Sequence, residues 1–322
     1  MKLFFVAAIS VLIVIVAIAH AESVDGRKQN AVESAAELKI QQCEHIVSVY
    51  NRCETSMDYD PSKNAITFGR GLKAAKCDDG KILTFEQRLE DADISSMMSQ
   101  SYHPGKMDLP ERHVDFSPGG IRNQEFNQAV YGTTADEVKK NLIVVDFLGH
   151  KAKFNRKNGA ARALADVNTE LMRMYKAKSD KRLVEFLKPF IEGGCKPAER
   201  CKVEENTFNW RPVAGSVRLS NHSFGAAIDL QPESGTEYWL WDVEEQIKSG
   251  KAIFRPGTNL SKPGGRDVVN FIPKSNPEYP LKLVDAFERH GFVWGGKWYR
   301  YDVMHFEFHP EFFPDEIFPC GK

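Results

Sequence analysis

Two short stretches of the chain combine residue types that can hold a metal ion. The first is Ser220-Asn221-His222-Ser223-Phe224-Gly225-Ala226-Ala227-Ile228-Asp229-Leu230. It sets an imidazole at a turn, a glycine that permits the turn, and a carboxylate on a strand. Strand alternation puts Ala227 and Asp229 on one face, opposite Ala226, Ile228 and Leu230. The second stretch runs from Gly291 to His309 and places Asp302 three residues before His305. Residues three apart on a straight strand face opposite ways, so a bend near Val303-Met304 is needed to bring both to one site. Beyond it, His305, Glu307 and His309 alternate with Phe306 and Phe308. His222, Asp229 and His305 would make three ligands and leave a fourth tetrahedral position open, the arrangement of catalytic zinc. Asp302 is then placed either to accept a proton from water or to orient His305. Glu307 and His309 read as groups behind the ligands or as the wet face of an edge strand. Taken alone, each half is equally the pattern of a network carboxylate or a histidine that binds nothing.

These residues need a scaffold. Ala226 to Leu230, Gly291 to Trp294 and His305 to Phe308 read as strands. The β-branched run Asn141 to Phe147, the turn Gly149-His150 and Lys151 to Phe154 predict a hairpin. Gly159 to Tyr175 predicts a helix with Leu164, Val167, Leu171 and Met174 in one stripe. Asp180 can cap a second helix through Ile191, with Leu183, Val184, Leu187 and Phe190 inward. A third covers residues 280–290. Strands and helices do not alternate strictly, so the expected class is α+β: a small antiparallel sheet carrying the site, flanked by helices. Upstream, Glu33 to Tyr50 predicts a helix, and Asp58 to Arg70 is turn-rich. Residues 22–90 therefore read as a mainly helical accessory segment without evident chemistry, ahead of a main domain over 91–322.

The 322 residues are 42% apolar and 27% charged with net charge −1, an ordinary globular balance that gives no reason to expect nucleic acid as a partner. The N-terminus departs from it. Lys2, the apolar run Leu3 to Ala19 broken by Ser10, and Ala19-His20-Ala21 form the pattern of a signal peptide over residues 1–21. Its alternative is an uncleaved anchor. Either way the expected location is periplasmic or extracellular, with no membrane partner beyond the export signal. Six cysteines suit that compartment. Cys195 and Cys201 are the easiest pair to close, and Cys320 could clip the tail to the region of Cys43, Cys53 and Cys77. A cysteine zinc site is disfavoured because no C-x-x-C occurs.

The Ser-x-His-x-x-Gly-x-Ala-x-Asp pattern, followed by Gly-Phe-x-Trp-Gly-Gly-x-Trp and Asp-x-Met-His-Phe-Glu, resembles the M15 zinc peptidases of bacterial cell walls. The resemblance runs from about Asp93 to Phe318. It takes in Asp93 to Gln100, Lys153-Phe154-Asn155 and Phe208-Asn209-Trp210-Arg211. It implies one Zn²⁺ per chain on His222, Asp229 and His305, Asp302 as the catalytic carboxylate, and peptidoglycan stem peptides as substrate. It also implies an upstream arginine that steadies the developing oxyanion: Arg211, with Arg218 as rival. Ser220, Trp294 and Trp298 are the expected substrate contacts, and all five tryptophans, Trp210, Trp239 and Trp241 included, could line a cleft. Within the family an Asp rather than a Glu three residues before the last histidine leans toward L-alanyl-D-glutamate endopeptidases. The D-alanyl-D-alanine carboxypeptidase is the alternative. Hedgehog signalling domains resemble this fold too, which leaves a third reading: a non-catalytic zinc-bearing module that binds wall or a partner protein.

Overall fold

A computed structural model of the chain describes residues 37–314 except 54, 70, 106–116, 196–200, 205, 214–215, 232–251, 254–271, 274–278 and 299–301. The expected signal segment, Cys320, Trp239 and Trp241 lie outside the described residues. No helix among the described residues is long and apolar enough to cross a membrane.

The chain opens with a helix over residues 37–51, here α1. An antiparallel sheet of β1 (Met57–Asp60), β2 (Ala65–Phe68) and β3 (Ala75–Lys76) follows. The described part of the segment therefore combines helix and sheet. The stretch read as turn-rich holds a hairpin whose turn is only Pro61 to Asn64, with Asn64 at φ 46° and the Asp60 carboxylate accepting from the Ser62 N–H (3.0 Å). Cys43 is joined to Cys77, which ties α1 to the end of this sheet, and Cys195 to Cys201 as expected. Disulfides fit an exported protein.

Four short helices come next: α2 (Phe85–Glu90), α3 (Ile94–Met98), α4 (Gln124–Tyr131) and α5 (Ala135–Asn141). Each starts on a side-chain cap: Thr84, Asp93, Asn123 and Thr134 in turn. The expected hairpin is β4 (Leu142–Phe147) with β5 (His150–Asn155). The expected helices are α6 (Ala160–Lys176) and α7 (Lys181–Glu192), the latter capped by Asp180 at Leu183 N. Then come β6 (Ala227–Asp229), the short pair β7 (Ala252–Ile253) and β8 (Ile272–Pro273), α8 (Leu281–Glu288), β9 (Phe292–Trp294) and β10 (His305–Phe308). The result is α+β with small antiparallel sheets.

The central element is β10, which pairs β6 on one side and β9 on the other. All four of its residues are buried. Phe306 and Phe308 point into a core with Phe147, Phe154, Leu164, Val167, Leu187, Phe287 and Phe292, where Phe287 stacks on Phe306 at 4.0 Å. A second core joins Ile46, Tyr50 and Ile66 of the N-terminal segment to Phe126, Val130 and Phe224. The N-terminal segment thus packs directly against the turn that carries His222.

Candidate metal centre

The β10–β6 register sets His305 opposite Asp229. Directly opposed residues project from the same sheet face, so imidazole and carboxylate meet without any bend in either strand. His222 arrives from a 3₁₀ turn, Asn221–Phe224, just before β6. Gly225 ends that turn at φ +63°, and a Cβ there would lie 2.5 Å from Leu142 Cδ2, so the return into β6 requires glycine. The bend expected before His305 is present: residues 303–304 turn, and His305 N–H donates to the Asp302 carbonyl (3.2 Å).

Three donor atoms converge. His222 Nε2 lies 3.2 Å from His305 Nδ1 and 3.3 Å from Asp229 Oδ2, and His305 Nδ1 lies 2.8 Å from Asp229 Oδ1. Zinc–ligand bonds of 2.0–2.1 Å in a tetrahedron separate donors by about 3.3 Å. The opposite ring nitrogens are already committed. His222 Nδ1 donates to the Thr207 carbonyl (3.0 Å), and His305 Nε2 donates to Glu307 Oε1 (2.7 Å). With both imidazoles neutral, the facing nitrogens present lone pairs to one another and to a carboxylate. Such a set calls for a cation, and this tautomer-fixing support is typical of metal ligands. Burial pushes the Asp229 carboxyl up, but His222 and then His305 hold it well below the usual range. His222, Asp229 and His305 fit zinc.

Asp302 stands beside this group. Its backbone N–H donates to the Gly295 carbonyl (3.0 Å), and Gly295 admits it because a Cβ there would lie 2.6 Å from the Asp302 carbonyl oxygen. The carboxylate is half-buried, and Oδ1 is shut from solvent without a hydrogen-bond partner among the described residues. Burial raises its pKa to about 7, opposed by His305 and, more weakly, Arg211. A carboxyl poised near neutrality with an unsatisfied oxygen can accept a proton and release it.

The arginines separate. Arg211 is half-buried, with its backbone tied to Ser223 and its guanidinium touching only the Pro212 carbonyl (3.4 Å) among the described residues. Arg218 is buried, donates to the Gly120 carbonyl, and has its pKa lowered to about 9 by burial and by Arg122.

Ser220, Trp294 and Trp298, the expected substrate contacts, are all buried. Ser220 is buried, and its hydroxyl caps the His222 turn by accepting from His222 N–H (3.4 Å). Trp294 sits in the core, stacked on Tyr279 at 5.4 Å, with its indole N–H donating to the Val303 carbonyl. These two residues build the site from behind rather than facing a cleft. Trp298 lies nearer, its ring 5.5 Å from His305, but it is 9% exposed and its indole N–H is spent on the Pro118 carbonyl.

Glu307 and His309 lie on no wet edge. Glu307 is 1% exposed and also pairs with Arg122 (3.0 Å), while both nitrogens of His309 meet carboxylates. Arg122 and Tyr279 went unnoticed in the sequence, since only the fold brings them to the site. Tyr279 is half-buried beside Asp229 and Asp302, and desolvation followed by their charges raises its pKa well above normal.

Residues 214–308 match a family model of the M15 peptidases described as D-alanyl-D-alanine carboxypeptidase. The matched stretch encloses Arg218, His222, Asp229, Asp302 and His305, and leaves Arg211 just outside. It covers under a third of the chain. No curated protein and no solved structure matches the chain.

Proposed function

We propose that the protein is an exported zinc peptidase that hydrolyses peptide bonds in peptidoglycan stem peptides. The observation that carries this is the convergence of His222 Nε2, His305 Nδ1 and the Asp229 carboxylate, with both imidazole tautomers fixed from behind. The M15 match over residues 214–308 supports a peptidase as the reaction class.

Zinc held there would lower the pKa of water and polarise the scissile carbonyl. Asp302 would take the proton of the attacking water and pass it to the leaving amine, a role that its raised pKa suits. Arg211, with a guanidinium not engaged by any carboxylate among the described residues, would steady the oxyanion. Arg218 is committed to the Gly120 carbonyl and is the weaker candidate.

Asp302, rather than a glutamate, favours the bond between L-Ala and D-Glu. The description of the matching family favours the terminal D-Ala-D-Ala bond as the second reading. Mass spectrometry of digested muropeptides separates them. A cut between L-Ala and D-Glu is expected, and loss of one alanine would transfer the assignment to carboxypeptidase. Stable wall binding with no new termini from zinc-loaded protein would reduce the site to a binding module.

A further inference from the structure

Hydrogen bonds continue outward from His305 in an unbroken series. His305 Nε2 donates to Glu307 Oε1 (2.7 Å), and His309 Nε2 donates to Glu307 Oε2 (2.8 Å). His309 Nδ1 meets Glu311 Oε1 (2.8 Å), and the Tyr50 hydroxyl donates to Glu311 Oε2 (2.8 Å). His45 adds a contact to the Glu311 backbone carbonyl (3.0 Å). Tyr50, Glu307, His309 and Glu311 are each at most 3% exposed. Both oxygens of each carboxylate and both nitrogens of His309 are used. The far end of the series lies on α1, in the N-terminal segment where the sequence shows no chemistry.

The order of the series has a physical consequence. His305 can offer the Nδ1 lone pair only while its proton stays on Nε2, and Glu307 holds it there. An ionised carboxylate only accepts, so Glu307 is oriented by its three other donors, Arg122, His309 and the Asn221 amide. His309 is oriented in turn by Glu311, and Glu311 by Tyr50. Arg122, Glu307, His309 and Glu311 alternate in sign when His309 is protonated at both nitrogens, which lets four charged groups share a dry interior.

We infer that Tyr50 and Glu311 are positioning residues for the metal ligand His305, so that α1 of the N-terminal segment is a working part of the metal centre. The inference rests on His222, Asp229 and His305 being metal ligands. A segment serving only as packing would have no effect on the metal once the fold is intact.

The test uses the full exported chain and two conservative variants, Tyr50→Phe and Glu311→Gln. Tyr59→Phe is the control, since the Tyr59 hydroxyl in the same segment bonds only Asn64 (3.3 Å) among the described residues and is outside the series. Zinc affinity is measured by chelator competition, the Co²⁺-substituted protein by its visible spectrum, and folding by the thermal midpoint. Loss of such outer partners weakens metal binding by about 10–100-fold, and the lower end is expected here. Tyr50→Phe and Glu311→Gln should each bind zinc about tenfold more weakly and shift the Co²⁺ bands, with Tyr59→Phe unchanged. Should one variant fail to fold, the other decides. Wild-type affinity and spectrum in the folded variants would overturn the inference while leaving the metal site standing. An equal loss in Tyr59→Phe would overturn it as general loosening. Wild-type protein that binds neither metal would overturn the metal site and this inference together.

Discussion

His305 and Asp229 sit opposite each other across the β10–β6 pair, with Nδ1 2.8 Å from Oδ1, while Glu307 grips the other side of the imidazole. The sheet register, not loop flexibility, sets this spacing, so the metal site should be preformed. Protein purified without chelator should carry about one zinc per chain, and stripping it should abolish turnover and lower the thermal midpoint, since a ligand bound only by the native state stabilises it by mass action. His305→Ala should lose both metal and activity. Full activity in His305→Ala would sink the zinc peptidase reading.

Asp302 separates chemistry from metal binding. Its Oδ1 has no hydrogen-bond partner among the described residues, and its backbone is held by Gly295 independently of the carboxylate. Asp302→Ala should keep zinc stoichiometry and fold while kcat falls by about 10²–10⁴, the usual worth of a general base. Zinc content by elemental analysis and turnover of muropeptides check this. Loss of zinc along with turnover would instead assign Asp302 to holding His305.

Neither half of the candidate metal group is legible alone; His222, Asp229 and His305 stand out only where the two motifs are read as a pair. Within that pair the sequence shows the alternation that sets Asp229 and His305 on strand faces, and Gly225 as the turn between His222 and β6. What it could not show is partnership across the chain. Arg122 reaches Glu307 over 185 residues and Tyr50 reaches Glu311 over 261, with no local pattern to link them. The same limit left β10 open between a buried strand and an edge strand, because alternating His305, Glu307 and His309 resembles a solvated face until β6 and β9 close on both sides. In the N-terminal segment, Asp58, Asp60, Pro61, Ser62 and Asn64 weighted the reading toward turn, and the short flanking strands were lost. Trp294 shows the converse. A tryptophan suits a cleft or a core, and only the packing of this one against Tyr279 and Phe306 places it in the core.

The two arginines should fail differently. Arg211→Ala should lower kcat by about 10²–10³ with the thermal midpoint nearly unchanged, the signature of a lost oxyanion donor. Arg218→Ala removes a donor from the buried Gly120 carbonyl and should cost about 1–3 kcal/mol of stability. Steady-state kinetics beside thermal melts distinguish them. A stable Arg218→Ala with a collapsed kcat would exchange the roles.

Behind β9, Lys297 and Glu288 form an ion pair with both side chains at most 2% exposed. Glu288 also accepts from the Tyr102 hydroxyl and the Gly105 N–H, and Lys297 donates to the His103 carbonyl. Lys297→Met strands a buried carboxylate and should destabilise by about 3–5 kcal/mol, whereas Lys297→Met with Glu288→Leu should recover much of that loss. Chemical denaturation of the single and double variants tests it. Equal stability of Lys297→Met and wild type would show that the pair holds nothing together.

Cys43 and Cys77 close a loop of sequence separation 34, joining α1 to the end of the N-terminal sheet with Cα atoms 6.0 Å apart. A loop of that length restricts the unfolded chain by about 3–4 kcal/mol. Cys43→Ser with Cys77→Ser should therefore lower stability by roughly that amount in denaturant melts. Tyr50 lies two helical turns beyond Cys43 on the same buried face of α1. Loosening α1 should then also weaken the hold on Glu311, so the double variant should bind zinc more weakly even at temperatures where it stays folded. A double variant with lowered stability and unaltered zinc affinity would confine the disulfide to fold stability alone.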